Sequence, residues 1–343
     1  MTIVYDTPSS AEAVEVVLEV LPHESKESIT TLPPWQIALL FGVVFGLFGL
    51  GGGFSWILGP AGTADSSGEK EAVAVMKNPF DDVALVAEAA FVFDIARGET
   101  LYEKNAETQL PLASLAKLMT ALVAEEILGD EAVVALDRNA IAEEGDSGLL
   151  VGEEWKKEDL VALTLLASSN DGAHALATAA EEALKNTATS TEIVVPTFAE
   201  RMNARAGEIG LSQTYFLNAG GLDVHEYESG AYGSAHDVAK LLSYILAHEP
   251  QIFGATVYEK QIFTSLDGIA HTLKNTNDFI SRLPGLVASK TGFTDLAGGN
   301  LAVIIEAGPM HPIAIVVLGS TAEERFTDVE RLVWAALQKL NNE

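Results

Sequence analysis

No charged residue occurs between Glu27 and Asp65, and within that interval "IALLFGVVFGLFGLGGGFSWIL" (37–58) is apolar or glycine at every position but Ser55. As a helix these 22 residues would reach roughly 33 Å, enough to cross a bilayer. Trp35 and Trp56 stand near its ends, where interfacial aromatics belong. A buried core helix is a poor alternative, because so many glycines weaken a helix in water. A cleaved signal peptide is the better rival, since Gly62-Thr63-Ala64 offers a small-residue cleavage site. The long acidic stretch before the run and the run's length argue against it. The expectation is an uncleaved, single-pass anchor. Gly42-x-x-x-Gly46 and Gly49-x-x-x-Gly53 could pack two such helices into a homodimer, although glycine simply tolerated in lipid explains them as well.

The anchor divides the chain into an acidic tail (1–34), the transmembrane segment (35–59), a small, polar linker (60–79) and a globular part (80–343). Forty-nine acidic against 20 basic residues give a net charge of −29. Nucleic acid and anionic lipid surfaces are poor partners for such a surface. Without cysteine there are no disulfides or thiolate metal sites, and the seven histidines show no zinc-binding spacing. No metal and no cofactor is implied. In the globular part, "AAFVFDIARGETLYEKN" reads as a hairpin turning at Ala96–Glu99. Helical periodicity dominates 114–249, with loops at 143–150, 186–196 and 217–233. Strands return in "GLVASKTGF", "GGNLAVIIEAG" and "HPIAIVVLGS", and an amphipathic helix fills 322–340. Two strands, a helical block, three strands and a helix predict an α+β domain whose antiparallel sheet joins distant parts of the chain.

Ser114 and Lys117 open the helix "SLAKLMTALVAEEIL". Serine is ordinary at an N-cap. Lysine is out of place in a first turn, where the helix dipole is positive. S-x-x-K alone is weak: with 20 serines and 13 lysines, about one match arises by chance. Ser67-Gly68-Glu69-Lys70, in the linker, is such a match. Two further motifs change the odds. Ser168-Ser169-Asn170 follows the apolar helix "DLVALTLLA", and Lys290-Thr291-Gly292 ends a strand-like run. The order S-x-x-K, S-x-N, K-T-G is that of serine–lysine acyltransferases.

The chain resembles the low-molecular-weight penicillin-binding D-alanyl-D-alanine carboxypeptidases over about 80–340. The three motifs carry the likeness, with "LLVGEEWKKEDLVALTLLASSNDGAHALA", "ERMNARAGEIGLSQTYFLNAGGL" and "NTNDFISRLPGLVASKTGFTDLAGGNLAV". The expected departures from the family are the lack of a β-rich C-terminal domain or terminal amphipathic helix after the catalytic part, an anchor at the N-terminus instead, and Phe293 after the third motif. The resemblance implies a β-lactamase/transpeptidase-like fold, with a five-stranded antiparallel sheet flanked by helices and a helical subdomain. It also implies roles: Ser114 as nucleophile, Lys117 as its base, Ser168 relaying a proton to the leaving amine, and Asn170 holding Lys117 and the substrate amide. Lys290 and Thr291 would bind the substrate carboxylate, with Gly292 beside them. The backbone N–H groups of Ser114 and Phe293 would form the oxyanion hole. Lys117 can serve as base only with a depressed pKa, which its burial, the helix terminus and Lys290 would all favour.

The expected substrate is a peptidoglycan stem peptide ending in D-Ala-D-Ala, with β-lactams as covalent inhibitors. The expected location is the bacterial cytoplasmic membrane, with the catalytic domain on the periplasmic or extracellular side. A DD-endopeptidase acting on cross-links, a class A-like β-lactamase and an inactive wall-binding module are the alternatives. Asn203, Asn218, Asn275 and Asn277 read as loop-fixing residues and Trp155 as core. Arg325 could reach the carboxylate pocket, but capping the last helix is the reading preferred here.

Overall fold

The computed structural model describes residues 77–145, 147–187 and 195–342. The tail, the apolar run 37–58, the Ser67/Lys70 pair and most of the linker lie outside the described residues. Among the described residues, no helix is long and apolar enough to cross a membrane.

In chain order the strands are β1 (Ala89–Asp94), β2 (Glu99–Lys104), β3 (Leu110–Pro111), β4 (Val133–Ala135), β5 (Glu154–Lys156), β6 (Tyr215–Phe216), β7 (Ala231–Gly233), β8 (Lys260–Thr264), β9 (Ala270–Lys274), β10 (Leu286–Thr294), β11 (Gly298–Glu306) and β12 (Pro312–Ser320). The α-helices are α1 (Lys117–Ile127), α2 (Arg138–Ile141), α3 (Lys157–Ala167), α4 (Asn170–Thr187), α5 (Phe198–Ile209), α6 (Ala235–His248) and α7 (Glu324–Asn341).

Five strands form one antiparallel sheet in the order β10-β11-β12-β1-β2, so the first hairpin pairs with the last strand. Its central strands β11 and β12 are apolar on both faces because both faces are covered. Leu301, Val303 and Ile305 of β11, with Ile313, Ile315 and Val317 of β12, belong to one core. Their neighbours Ala302, Ile304, Ala314, Val316 and Leu318 belong to the other. This period of two is what a strand between two layers requires. On the first side lies α7, burying Phe326, Val329, Leu332, Val333 and Ala336 at helical spacing. Each of the larger side chains among them contributes about 1.5–3 kcal/mol when fully buried. Asp328 on the same helix is also buried, and its carboxylate accepts from the N–H groups of Val86 and Ala87 and from the Ser320 hydroxyl.

The other face packs on α6 and continues into the helical part of the molecule. There α1 is buried nearly all round, from Lys117 to Ala124, as expected of a helix that is apolar on every face. Lys157, also buried, pairs with Glu125. Trp155 is core, its indole N–H donating to Glu153.

The helical pattern expected over 114–249 is interrupted by β4, β5, β6 and β7, and a further hairpin, β8–β9, precedes the three sheet strands. All are short, and β4, β5, β8 and β9 are largely solvent-facing while β7 is buried but only three residues long, so none has the continuous apolar run that marks a sheet strand.

Candidate active site

The serine of the first motif is not an N-cap. Residues Ala113–Ala116 form a 3-10 turn, α1 starts at Lys117, and Ala116 occupies the cap position without a side-chain bond. Side chains three apart eclipse in a 3-10 turn. Ser114 and Lys117 therefore lie on one side, with Nζ 2.8 Å from the serine Oγ. The hydroxyl is not used in capping. Ala113, just before the serine, has a left-handed φ of 49°, an uncommon conformation for a residue with a side chain, held by its neighbours.

Lys117 is fully buried, and its Nζ also lies 2.6 Å from Asn170 Oδ1 and 2.7 Å from the Gly220 carbonyl. Burial lowers its pKa to about 7, against the carboxylates of Glu143 and Asp171, which raise it. A neutral amine has two N–H bonds and one lone pair. In the protonated form a third N–H donates to Ser114 Oγ; in the neutral form the two carbonyl oxygens take the N–H bonds and leave the lone pair for the Ser114 hydroxyl. That is the geometry of a general base poised on a nucleophile.

The second motif sits where α3 ends. Ser168 is left-handed, with φ 58°, and its N–H closes α3 on the Thr164 carbonyl. The reversal starts α4 at Asn170. Ser169 accepts the Gly172 N–H and the Ser147 hydroxyl, so its role is structural. Asn170 turns its amide oxygen to Lys117 and donates to the Glu144 carbonyl.

The third motif lies on β10, an edge strand of the sheet. Lys290 is buried and donates to Ser168 Oγ and to the Thr291 carbonyl, both at 2.8 Å. Burial first, then the charges of Lys117 and Arg325, hold its pKa well below the ordinary lysine value. The Thr291 hydroxyl is 2.6 Å from that of Thr276. Gly292 presses on the nucleophile's turn: a Cβ there would lie 2.8 Å from the Leu112 carbonyl and 3.3 Å from the Ser114 nitrogen. The Phe293 side chain is half exposed, so its contribution to the cleft is its backbone. Hydrogen bonds and close packing bring Ser114, Lys117, Ser168, Asn170, Lys290 and Gly292 together, with Thr291 and Phe293 flanking Gly292 on β10.

Contrary to the preferred reading, Arg325 does not cap α7, whose N-cap residue makes no side-chain cap bond. It reaches β10, where Nη1 donates to the Gly292 carbonyl at 2.6 Å. Its Nε is buried with no hydrogen-bond partner among the described residues. With Lys290, it makes this end of the cleft cationic. Asn203, Asn218, Asn275 and Asn277 each bond loop or strand backbone, which is the loop-fixing role expected of them.

The Gly220 carbonyl was not foreseen, nor was Gly221. A Cβ on Gly221 would lie 1.9 Å from the Ala113 carbonyl oxygen, so the left-handed second glycine of "LNAGGL" allows the loop to touch the nucleophile's turn. The doubled glycine was the available signal. Beyond Asn170 opens a cavity of about 640 Å³, lined by Glu143, His174, Glu181, Asn218 and Asp223 among others.

A family model described as D-alanyl-D-alanine carboxypeptidase, peptidase S11, matches residues 73–322. The D-alanyl-D-alanine carboxypeptidase DacF of Bacillus subtilis is 30% identical over 261 residues, a match covering 74% of this chain and 62% of that protein. The chain therefore spans under two thirds of that relative's length. A D-alanyl-D-alanine endopeptidase of Escherichia coli is 26% identical, over 71% of this chain and 75% of its own. Among solved structures, ampicillin-bound penicillin-binding protein D2 from Listeria monocytogenes is 30% identical with a TM-score of 0.60, covering 74% of this chain and 98% of that one. Fold, motif order and family match agree: the chain belongs to the D-alanyl-D-alanine carboxypeptidase family.

Proposed function

We propose that the protein removes the terminal D-Ala from peptidoglycan stem peptides through an acyl-enzyme on Ser114. The observation that carries this reading is the Lys117 amine, buried, near neutrality, and held by two carbonyl acceptors against the Ser114 hydroxyl. Lys117 takes the serine proton as Oγ attacks the penultimate D-Ala carbonyl. The backbone N–H groups of Ser114 and Phe293 receive the developing oxyanion. Ser168, bonded to Lys290, passes a proton to the departing amine. Lys290, Thr291 and Arg325 hold the substrate's terminal carboxylate, and water then hydrolyses the ester.

Cleavage of cross-links is the second reading, supported by the relatives named D-alanyl-D-alanine endopeptidase. On either reading the uncharged run 37–58 anchors the chain in the cytoplasmic membrane, with the catalytic part outside, where peptidoglycan lies. The support is the length and chargelessness of the run. Its glycine pairs could bring two copies together.

The β-lactamase alternative makes a different kinetic demand. Class A β-lactamases carry a deacylating glutamate in an E-x-x-L-N loop. The nearest imitation, Glu181 to Lys185, lies within α4, and Glu181 is engaged with the N–H of Phe198. Benzylpenicillin should therefore acylate Ser114 and stay attached for minutes or longer. Intact-mass spectra taken after a stoichiometric dose would follow the adduct. Its disappearance within seconds, with penicilloate accumulating catalytically, would establish the β-lactamase reading instead.

A further inference from the structure

Residues 218–223 touch the base and the turn that carries the nucleophile. The Ala219 carbonyl accepts from Thr120 and the Gly220 carbonyl from Lys117, fastening the segment to α1. Gly221 packs on the Ala113 carbonyl, next to the nucleophile. Asn218 closes the segment on itself, accepting from the Gly221 N–H and donating to the Leu222 carbonyl. At its far end, Asp223 reaches the end of β10. One carboxylate oxygen accepts the Thr294 hydroxyl at 3.0 Å and the other the Leu296 N–H at 3.3 Å. Thr294 is the last residue of β10 and follows Phe293, and its Oγ1 also takes the Ala297 N–H.

We propose that Asp223 is a positioning residue for acylation: by tying the Gly220–Leu222 wall to the end of β10, it fixes the distance between the base and the Phe293 N–H. Rigid placement of this kind matters because catalytic groups displaced by about 1 Å can lose two orders of magnitude in rate. Asp223 touches neither reacting atom. Removing it deletes the two hydrogen bonds between this segment and the end of β10. Gly292 still packs on the nucleophile's turn and Lys290 still bonds Ser168, so the site stays assembled while the end of β10 loses its register against Gly220–Leu222. The inference rests on the acyl-enzyme reading above.

The test is stopped-flow acylation of the full-length protein by a fluorescent penicillin, separating the first-order acylation constant from the apparent dissociation constant. Asp223→Ala should lower the first-order constant about 10–100-fold with the dissociation constant little changed. Thr294→Val removes one of the two bonds and should give a smaller fall, and the double variant should be no slower than Asp223→Ala, since both break one link. If Asp223→Ala fails to fold by circular dichroism, Thr294→Val carries the test alone, with a fall of about threefold or more expected. Acylation of the folded variants within about twofold of the parent would overturn the proposal. So would a loss confined to the dissociation constant, or additive effects in the double variant. A parent protein that takes no label overturns the acyl-enzyme reading and this proposal with it; a labelled parent beside unimpaired variants overturns this proposal alone.

Discussion

Ser114→Ala removes both D-Ala release and covalent labelling by a fluorescent penicillin, with the circular dichroism spectrum unchanged: that is the expected result, because the variant deletes one half-buried hydroxyl and no packing. Lys117→Ala should depress both activities by about 10²–10⁴-fold, the usual contribution of a positioned general base. It also strips a donor from Asn170 and Gly220, so some stability goes with it. In the parent, the base works only when neutral. Its pKa of about 7 makes the acylation rate fall about tenfold for each pH unit below that value. Ser67→Ala and Lys70→Ala, at the chance S-x-x-K match in the linker, should change neither activity. Labelling that survived in Ser114→Ala would end the assignment.

Gly221→Ala should be the most damaging methyl group that can be added to the cleft. Its Cβ would meet the Ala113 carbonyl carbon at 2.6 Å and the oxygen at 1.9 Å, on a backbone with φ of +74°. Neither neighbour is a flexible side chain that can swing away. Overpacking of this kind costs about 1–3 kcal/mol, and the left-handed backbone adds about 1 kcal/mol. Gly98→Ala supplies the comparison, since Gly98 has a φ of +70° and nothing within 4 Å of the added carbon. It should lose only the backbone part. At about 2–4 °C per kcal/mol, Gly221→Ala should melt several degrees below Gly98→Ala, and it should acylate at least about tenfold more slowly because Ala113 must move beside the nucleophile. Equal melting temperatures and equal acylation in the two variants would show that the loop does not press on the nucleophile's turn.

The sequence was informative wherever function or packing imposed a side-chain pattern. The strands β1, β11 and β12 announced themselves through continuous apolar runs, and α7 through its spacing from Phe326 to Ala336. Three short motifs located Ser114, Lys117, Ser168, Asn170 and Lys290–Phe293. What escaped was chemistry done by backbone or at long range. Gly220 holds Lys117 through a carbonyl, which every residue possesses. Asp223 meets Thr294 from 71 residues away, and neither partner is visible from its neighbours in the chain; Arg325, which meets Gly292 from 33 residues away, is legible only as an alternative to helix capping. The cap position of Ser114 was misplaced because a 3-10 turn and the start of an α-helix share the same local composition.

The most direct measurement is mass spectrometry of products after the full-length protein, in detergent, meets a muropeptide pentapeptide and a cross-linked dimer in parallel. The proposed carboxypeptidase converts the pentapeptide to a tetrapeptide with release of one D-Ala, requires Ser114, and leaves the dimer largely intact. A pentapeptide that returns unchanged from protein still able to take penicillin on Ser114, whether or not the dimer is cut, would contradict it.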